Sequence, residues 1–128
     1  MASYALVESD RPLRTYEREK GKVGLMRFMI TCRIPVEKGN ELVKNGTLGP
    51  TVQSIMEDLE PEAAYFIDVD GARGAHIVVD MEEASQIPPS VEPLMLALGA
   101  EIEVHPVMVL EDLGKATPEI ERVAQKYG

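Results

Sequence analysis

The sequence AAYFIDVDGARGAHIVVDM, residues 63–81, contains two apolar runs with a short polar segment between them. Residues 64–69 and 75–81 are rich in β-branched and aromatic side chains, which favour strands. Residues 70–74 hold two glycines and an aspartate, a composition typical of a turn. The stretch therefore predicts a β-hairpin.

The apolar faces of these two strands predict the register of the hairpin. Matching them sets two apolar pairs opposite each other on the core side and one polar pair on the other side: Ile67 with Ile77, Tyr65 with Val79, and Asp68 with His76. We therefore expect Tyr65 to lie in the core and Asp68 to lie beside His76 on the opposite face of the sheet.

The segments on both sides of the hairpin alternate between strand and helix patterns. An apolar run that ends at Pro35 predicts the first strand, and a last strand contains Pro106, which indicates a sheet edge because proline cannot donate to a ladder. Helical spacing, together with glycine and proline at the ends, predicts the helices. The predicted elements are a strand at 25–34, a helix in two pieces at 36–45 and 50–59, the hairpin, a helix at 88–98 and a strand at 101–109.

The element order β-α-β-β-α-β predicts an α+β, ferredoxin-like fold with a four-stranded antiparallel sheet in the order 4-1-3-2. Both helices would cover one face of this sheet, so the helix-free face must meet water or another molecule. We expect residues 25–112 to form the domain. Residues 1–24 are dense in charge without an apolar period, which predicts a flexible extension. Residues 113–128 predict a tail with a short helix that starts at Thr117 and Pro118.

The composition limits the partners and the compartment. The chain has 128 residues and a formal net charge of −9 at pH 7, and so acidic a body disfavours nucleic acid and anionic membranes as partners. Cys32 is the single cysteine, so no intramolecular disulfide can form. No apolar run approaches the ~20 residues of a membrane span, and the N-terminus lacks the layout of a signal peptide. We therefore expect a cytoplasmic protein.

Alternation along the strands assigns side chains to the helix-free face. The face would carry two histidines, two arginines, several carboxylates and a few apolar residues: Arg27, Met29, Thr31, Arg33, Asp68, His76, Val78, Asp80, Glu101, Glu103 and His105. If a second sheet covered this face, each polar group would need a partner, and the exclusion of water would shift pKa values.

His76 and Asp68 are the sharpest candidates for catalytic residues. A carboxylate beside an imidazole fixes its tautomer and raises its basicity, as a general base requires. The alternative is a cross-strand ion pair near the hairpin tip, which is solvated and contributes little. We favour this alternative, because ionic pairs are more often structural than functional.

Four further residues are candidates for ligand binding. Arg27 and Arg33 could hold an organic carboxylate, or they could neutralise neighbouring acidic side chains, which we favour. His105 and Glu103 lie two residues apart on one strand face, and with His76 they would offer ligands to zinc or iron. The first strand separates the two histidines by about 10 Å. We therefore expect no metal and no other cofactor.

Residues 26–112 resemble uncharacterised members of the dimeric α/β-barrel superfamily. The resemblance rests on RFMITCRIP at 27–35, AAYFIDVDGARGAHIVVDM at 63–81 and SQIPPSVEPLMLALGAEIEVHPVMVLEDL at 85–113. It implies that two ferredoxin-like sheets pair through their helix-free faces. Relatives in that superfamily include muconolactone isomerases, antibiotic-biosynthesis monooxygenases, chlorite dismutase-like haem proteins and stress-response proteins. The matching segments contain no catalytic signature, so the resemblance implies architecture rather than chemistry.

Two classes of function follow from the sequence. The first, which we favour, is a homodimeric binding or structural protein that buries the polar sheet face between its subunits. The second is a small cofactor-independent enzyme, isomerase-like or monooxygenase-like, that acts on a small organic acid or aromatic in the cavity between the sheets. In that enzyme His76 would be the acid or base, Asp68 would orient it, and Arg27 or Arg33 would bind the anion.

Overall fold

A computed structural model describes residues 25–128 of the chain. The predicted extension at residues 1–24 lies outside the described residues. Within residues 25–128, four strands and four α-helices follow one another, with a short 3₁₀ turn at Ala84–Gln86: β1 (Met26–Arg33), α1 (Val36–Lys44), α2 (Leu48–Leu59), β2 (Ala63–Val69), β3 (Ala72–Met81), α3 (Ile87–Leu98), β4 (Glu101–Pro106) and α4 (Leu110–Tyr127).

The strands form one antiparallel sheet in the order β2-β3-β1-β4. Counted from the β4 edge, this order has the same neighbours as 4-1-3-2. The architecture is α+β and is compatible with a ferredoxin-like fold. Strand β4 lies at an edge of the sheet. Pro106 has no backbone N–H, and on the outer side of an edge strand no neighbouring strand needs one.

Helices α1, α2 and α3 cover one face of the sheet, and the core lies between them and the strands. Ile30 of β1 and Ile77 of β3 are fully buried at its centre, and Leu94 and Leu98 of α3 are 2% exposed. Burial of such side chains contributes about 1.5–3 kcal/mol each. The alternation predicted for β1 is confirmed, since Ile30, Cys32 and Ile34 are buried on this side.

The predicted register of the hairpin is wrong. Ile67 lies opposite Gly74 rather than Ile77, and Asp68 lies opposite Arg73 rather than His76. The predicted turn occupied residues 70–74, whereas the real one has two central residues, Asp70 and Gly71, at φ 50° and 80°. Positive φ at both positions defines a type I′ turn, which matches the twist of the flanking strands and for which Asp-Gly is a preferred pair.

This change of register moves the side chains of β2 to the opposite face, because the pairing shifts by three residues, an odd number. Tyr65 was predicted to lie in the core but pairs with His76 and is 66% exposed. Phe66 instead pairs with the buried Ala75 on the side of the helices. The outer strand therefore contributes a different set of residues to each face.

The C-terminal helix is longer than predicted. It begins at Leu110 rather than at Thr117 and runs through 18 residues. The carboxylate of Asp112 accepts a hydrogen bond from the backbone N–H of Val109 at 2.9 Å and thereby caps the first turn. Pro118, predicted as the first helical residue, lies inside the helix instead.

Candidate functional site

The helix-free face is a set of side-chain rows that cross the four strands. The central row contains Tyr65, His76, Thr31 and Glu103, each opposite the next in the strand ladders. Thr31 Oγ1 and His76 Nδ1 lie 3.0 Å apart in a half-buried position, and which atom donates follows from the imidazole tautomer. This hydrogen bond holds the His76 ring against β1 at the middle of the face.

Asp68 takes no part in this row. It lies opposite Arg73 on the helix side of β2, so the predicted pairing of Asp68 with His76 is wrong. The polar partner of His76 is the hydroxyl of Thr31 instead. Alternation along β1 predicted Thr31 on this face, but the hydrogen bond could not be predicted from local sequence because it joins residues 45 positions apart in the chain. The role proposed for His76 as an acid or base stays a prediction.

Both arginines of the face have carboxylate partners. Arg27 Nε donates to Glu62 Oε1 at 2.9 Å, which ties β1 to the residue just before β2. Arg33 Nη1 lies 3.4 Å from Glu101 Oε2 on the neighbouring strand β4. These contacts agree with the interpretation that the arginines neutralise acidic neighbours. Binding of an external anion by Arg27 or Arg33 stays a prediction.

Arg33 also binds the hairpin tip. Its Nε donates to the carbonyl oxygen of Val69 at 3.1 Å, and its Nη2 donates to the carbonyl oxygen of Asp70 at 3.4 Å. The guanidinium therefore satisfies backbone acceptors where β2 turns into β3. This use of three of its nitrogen atoms gives Arg33 a structural role at the edge of the face.

His105 and Glu103 lie together at the β4 edge, with His105 Nε2 3.2 Å from Glu103 Oε1. Both side chains are mostly exposed, at 64% and 74%. Strand β1 separates them from the strand that carries His76. Within residues 25–128, no group of three or more His, Cys, Asp or Glu side chains is placed to hold a metal ion.

Between these polar groups the face has an apolar centre. One row runs from Ala63 through Val78 and Met29 to His105, and the first three are partly buried. Ile67 on the outer strand is 48% exposed. The helix-free face thus combines an apolar middle with polar groups that contact each other within the chain.

On the helix-covered side of the sheet, the described residues enclose a cavity that is too small for an organic ligand. A cavity of about 30 Å³ lies between α2 and the sheet, and Cys32, Val52, Ile55 and Phe66 are among its lining residues. Binding sites for small organic molecules usually have volumes of about 300–1,000 Å³. Burial raises the pKa of the Cys32 thiol, an effect partly offset by a hydrogen bond with the backbone of Ala75. Cys32 is therefore a packing residue.

No family model, curated protein or solved structure matches this chain. Across residues 25–128, every helix is too short or too polar to cross a membrane.

Proposed function

We propose that this chain is a homodimeric binding or structural domain whose helix-free sheet face forms the interface between two subunits. The observation that carries this proposal is the pairing of charged groups around an apolar centre. Arg27 contacts Glu62, and Arg33 contacts Glu101, within one chain. Met29 and Val78 lie between these pairs at the middle of the sheet.

The pairing lowers the free energy needed to cover the face. An unpaired buried charge costs several kcal/mol, whereas a charge that retains its hydrogen-bonded partner loses less on desolvation. The apolar centre supplies the favourable term, since apolar area removed from water contributes about 25 cal/mol per Å². The resemblance to dimeric α/β-barrel proteins supports the same arrangement of two sheets.

The geometry supports an enzyme less well. Within residues 25–128, the proposed acid or base, His76, has the hydroxyl of Thr31 beside Nδ1, and its predicted carboxylate partner, Asp68, lies on the other side of the sheet. The two proposed anion-binding residues, Arg27 and Arg33, already contact carboxylates. A function in binding or assembly therefore has the stronger support.

Sedimentation equilibrium over a range of protein concentrations tests the dimer. We expect a mass of at least twice 14.1 kDa at micromolar concentration. Met29→Lys places a charge at the centre of the face and should raise the dimer dissociation constant by at least about 100-fold. The matched control is Leu96→Lys on α3, since Leu96 is 80% exposed on the other side of the molecule.

Two results would contradict the proposal. One is a wild-type mass of 14.1 kDa throughout the micromolar range. The other is an equal effect of Met29→Lys and Leu96→Lys on the dissociation constant.

A thermal-shift screen against organic acids and aromatics, with His76→Ala as the comparison, tests the enzyme alternative. A ligand that stabilises the wild type but not His76→Ala would favour a site on this face.

A further inference from the structure

Helix α4 exposes an apolar stripe along its length. Its apolar side chains recur at alternating spacings of three and four residues, which is the spacing of a coiled-coil seam. The stripe, called the α4 stripe below, consists of Leu113, Ala116, Ile120, Val123 and Tyr127. No residue of α4 is buried, and Ile120 and Val123 are 52% and 40% exposed. Nothing within residues 25–128 covers the stripe.

The composition of α4 indicates that the helix needs a packing partner. Gly114 and Pro118 lie in its interior, and glycine and proline are the two residues least favourable there. Pro118 has no N–H to donate to the carbonyl of Gly114. Local side-chain contacts include the Asp112 cap, a hydrogen bond from Thr117 Oγ1 to the carbonyl oxygen of Leu113 at 3.3 Å, an exposed ion pair between Arg122 and Glu119 at 2.7 Å, and Lys126 over the ring of Tyr127. Such a helix is marginal alone in water, so burial of the α4 stripe should stabilise it.

We propose that α4 packs antiparallel against α4 of a second copy of this chain, about a two-fold axis between residues 121 and 122. In this arrangement Ile120 lies beside Val123 of the other copy. Ala116 lies beside the other copy's Tyr127, so the smallest member of the stripe meets the largest. A parallel pair would instead leave a gap between two alanines and crowd two tyrosines.

Charges beside the stripe favour the same orientation. Glu119 and Lys126 flank it on one side, seven residues apart. In the antiparallel pair Glu119 of each helix faces Lys126 of the other, which gives two ion pairs of opposite charge. In a parallel pair Glu119 would lie near the uncharged Ala124 instead. Residues 116–127 of the α4 stripe are thus complementary to themselves in size and in charge.

Charge reversal tests this pairing. Lys126→Glu and Glu119→Lys should each weaken the association through α4 by about tenfold, because two attractions become two repulsions. The double variant should recover to within about threefold of the wild type. Lys115→Glu and Glu121→Lys make the same charge changes away from the stripe and serve as matched controls. A double variant weaker than either single variant, or controls with equal effects, would overturn the proposal.

Distances between spin labels test the orientation independently. With Cys32→Ala as background, Gln125→Cys and Glu111→Cys carry nitroxide labels on the face opposite the stripe. A rise of 1.5 Å per residue separates the two Gln125 labels by about 10 Å along the axis and the two Glu111 labels by about 30 Å. Equal distances at the two sites, or no coupling at either, would refute the antiparallel pair.

The α4 stripe and the helix-free face are different surfaces, so an experiment can refute one of the two proposed contacts without refuting the other. Equal label distances would refute the α4 pair and leave the effect of Met29→Lys unchanged as a test of the sheet face. An unchanged association constant in Met29→Lys would refute the sheet interface and leave the label distances as the test of α4. If both proposals hold, each chain contacts second copies through two surfaces.

Discussion

The two faces of the sheet are built from the same strands but differ in burial and in chemistry. On the helix-covered face, Ile30 and Ile77 are fully buried. Their neighbours in sequence, Thr31 and His76, lie on the helix-free face and join through a hydrogen bond across β1 and β3. Alternate residues of each strand therefore pack in the core and stabilise the fold, whereas the residues between them lie on the face that is open to assembly or binding.

The largest difference between the faces should appear in a pair of neighbouring substitutions. Ile77→Ala removes a fully buried side chain and should lower the free energy of unfolding by about 3 kcal/mol. Val78→Ala, on the half-buried face, should cost about 1 kcal/mol or less at low protein concentration. Denaturant unfolding measures both. If the helix-free face is an interface, the cost of Val78→Ala should grow with protein concentration, whereas that of Ile77→Ala should not. Equal costs at the lowest concentration would contradict the comparison.

The next largest change in the free energy of unfolding is expected for Gly74→Ala, because neighbouring atoms approach Gly74 closely. A Cβ atom at Gly74 would lie 2.6 Å from Val69 Cγ2 and closer still to the backbone oxygen of Cys32. Gly74→Ala should therefore lower the free energy of unfolding by about 2 kcal/mol. Gly49→Ala is the matched control, since its Cβ meets nothing within 4 Å. Thermal or denaturant unfolding of both variants checks this, and an unaffected Gly74→Ala would contradict the close approach of Val69 and Cys32 to Gly74.

Cys32 allows a test of burial by pH. Burial raises the pKa of the folded Cys32 thiol, so its contribution to stability is fully present below the thiol pKa of the unfolded chain and is lost as pH rises through the folded value. The loss has a limit of about 1.4 kcal/mol per pH unit. The free energy of unfolding of the wild type should therefore fall, relative to Cys32→Ala, above about pH 8.5, the ordinary pKa of cysteine. A constant difference between the two proteins across pH 8–10 would show that the thiol is not buried.

The smallest effect is expected at the exposed edge of the helix-free face. Glu103→Gln removes the contact with His105, and both side chains are mostly exposed. Exposed ion pairs contribute little, so the free energy of unfolding should change by less than about 0.5 kcal/mol. Denaturant unfolding at pH 6 and pH 8 checks this. A larger loss at either pH would indicate that the β4 edge is covered in solution.

The predicted placement of the candidate residues on the sheet was right where one strand decided it and wrong where two strands had to be aligned. The faces of β1 followed from alternation, so Arg27, Thr31 and Arg33 were assigned to the helix-free face as the register has them. Glu103 and His105 contact each other because alternation along β4 places them on one face. Asp68 was misplaced because its position depends on the length of the turn.

The start of α4 was also predicted wrongly from local sequence. Thr117 and Pro118 satisfy the local signals of a helix start, yet the helix begins at Leu110. Asp112 caps the earlier start through the N–H of Val109. The helix starts at Leu110 and continues through the predicted start at Thr117 and Pro118. The full apolar stripe becomes visible once the helix extends to Leu113.

By itself, the sequence determined the element order, the alternation within β1, β3 and β4, and the ends of α1 and α3, which Gly46 and Gly99 follow with positive φ. These features depend on local propensity, on the spacing of apolar residues and on glycines with positive φ, which are properties of short segments. Tertiary structure alone decided the register of β2, and with it the exchange of Asp68 for Tyr65 on the helix-free face. The physical reason is that a two-residue turn and a longer turn use the same local residues. The energy that separates them comes from contacts across strands, which exist only after the sheet has formed.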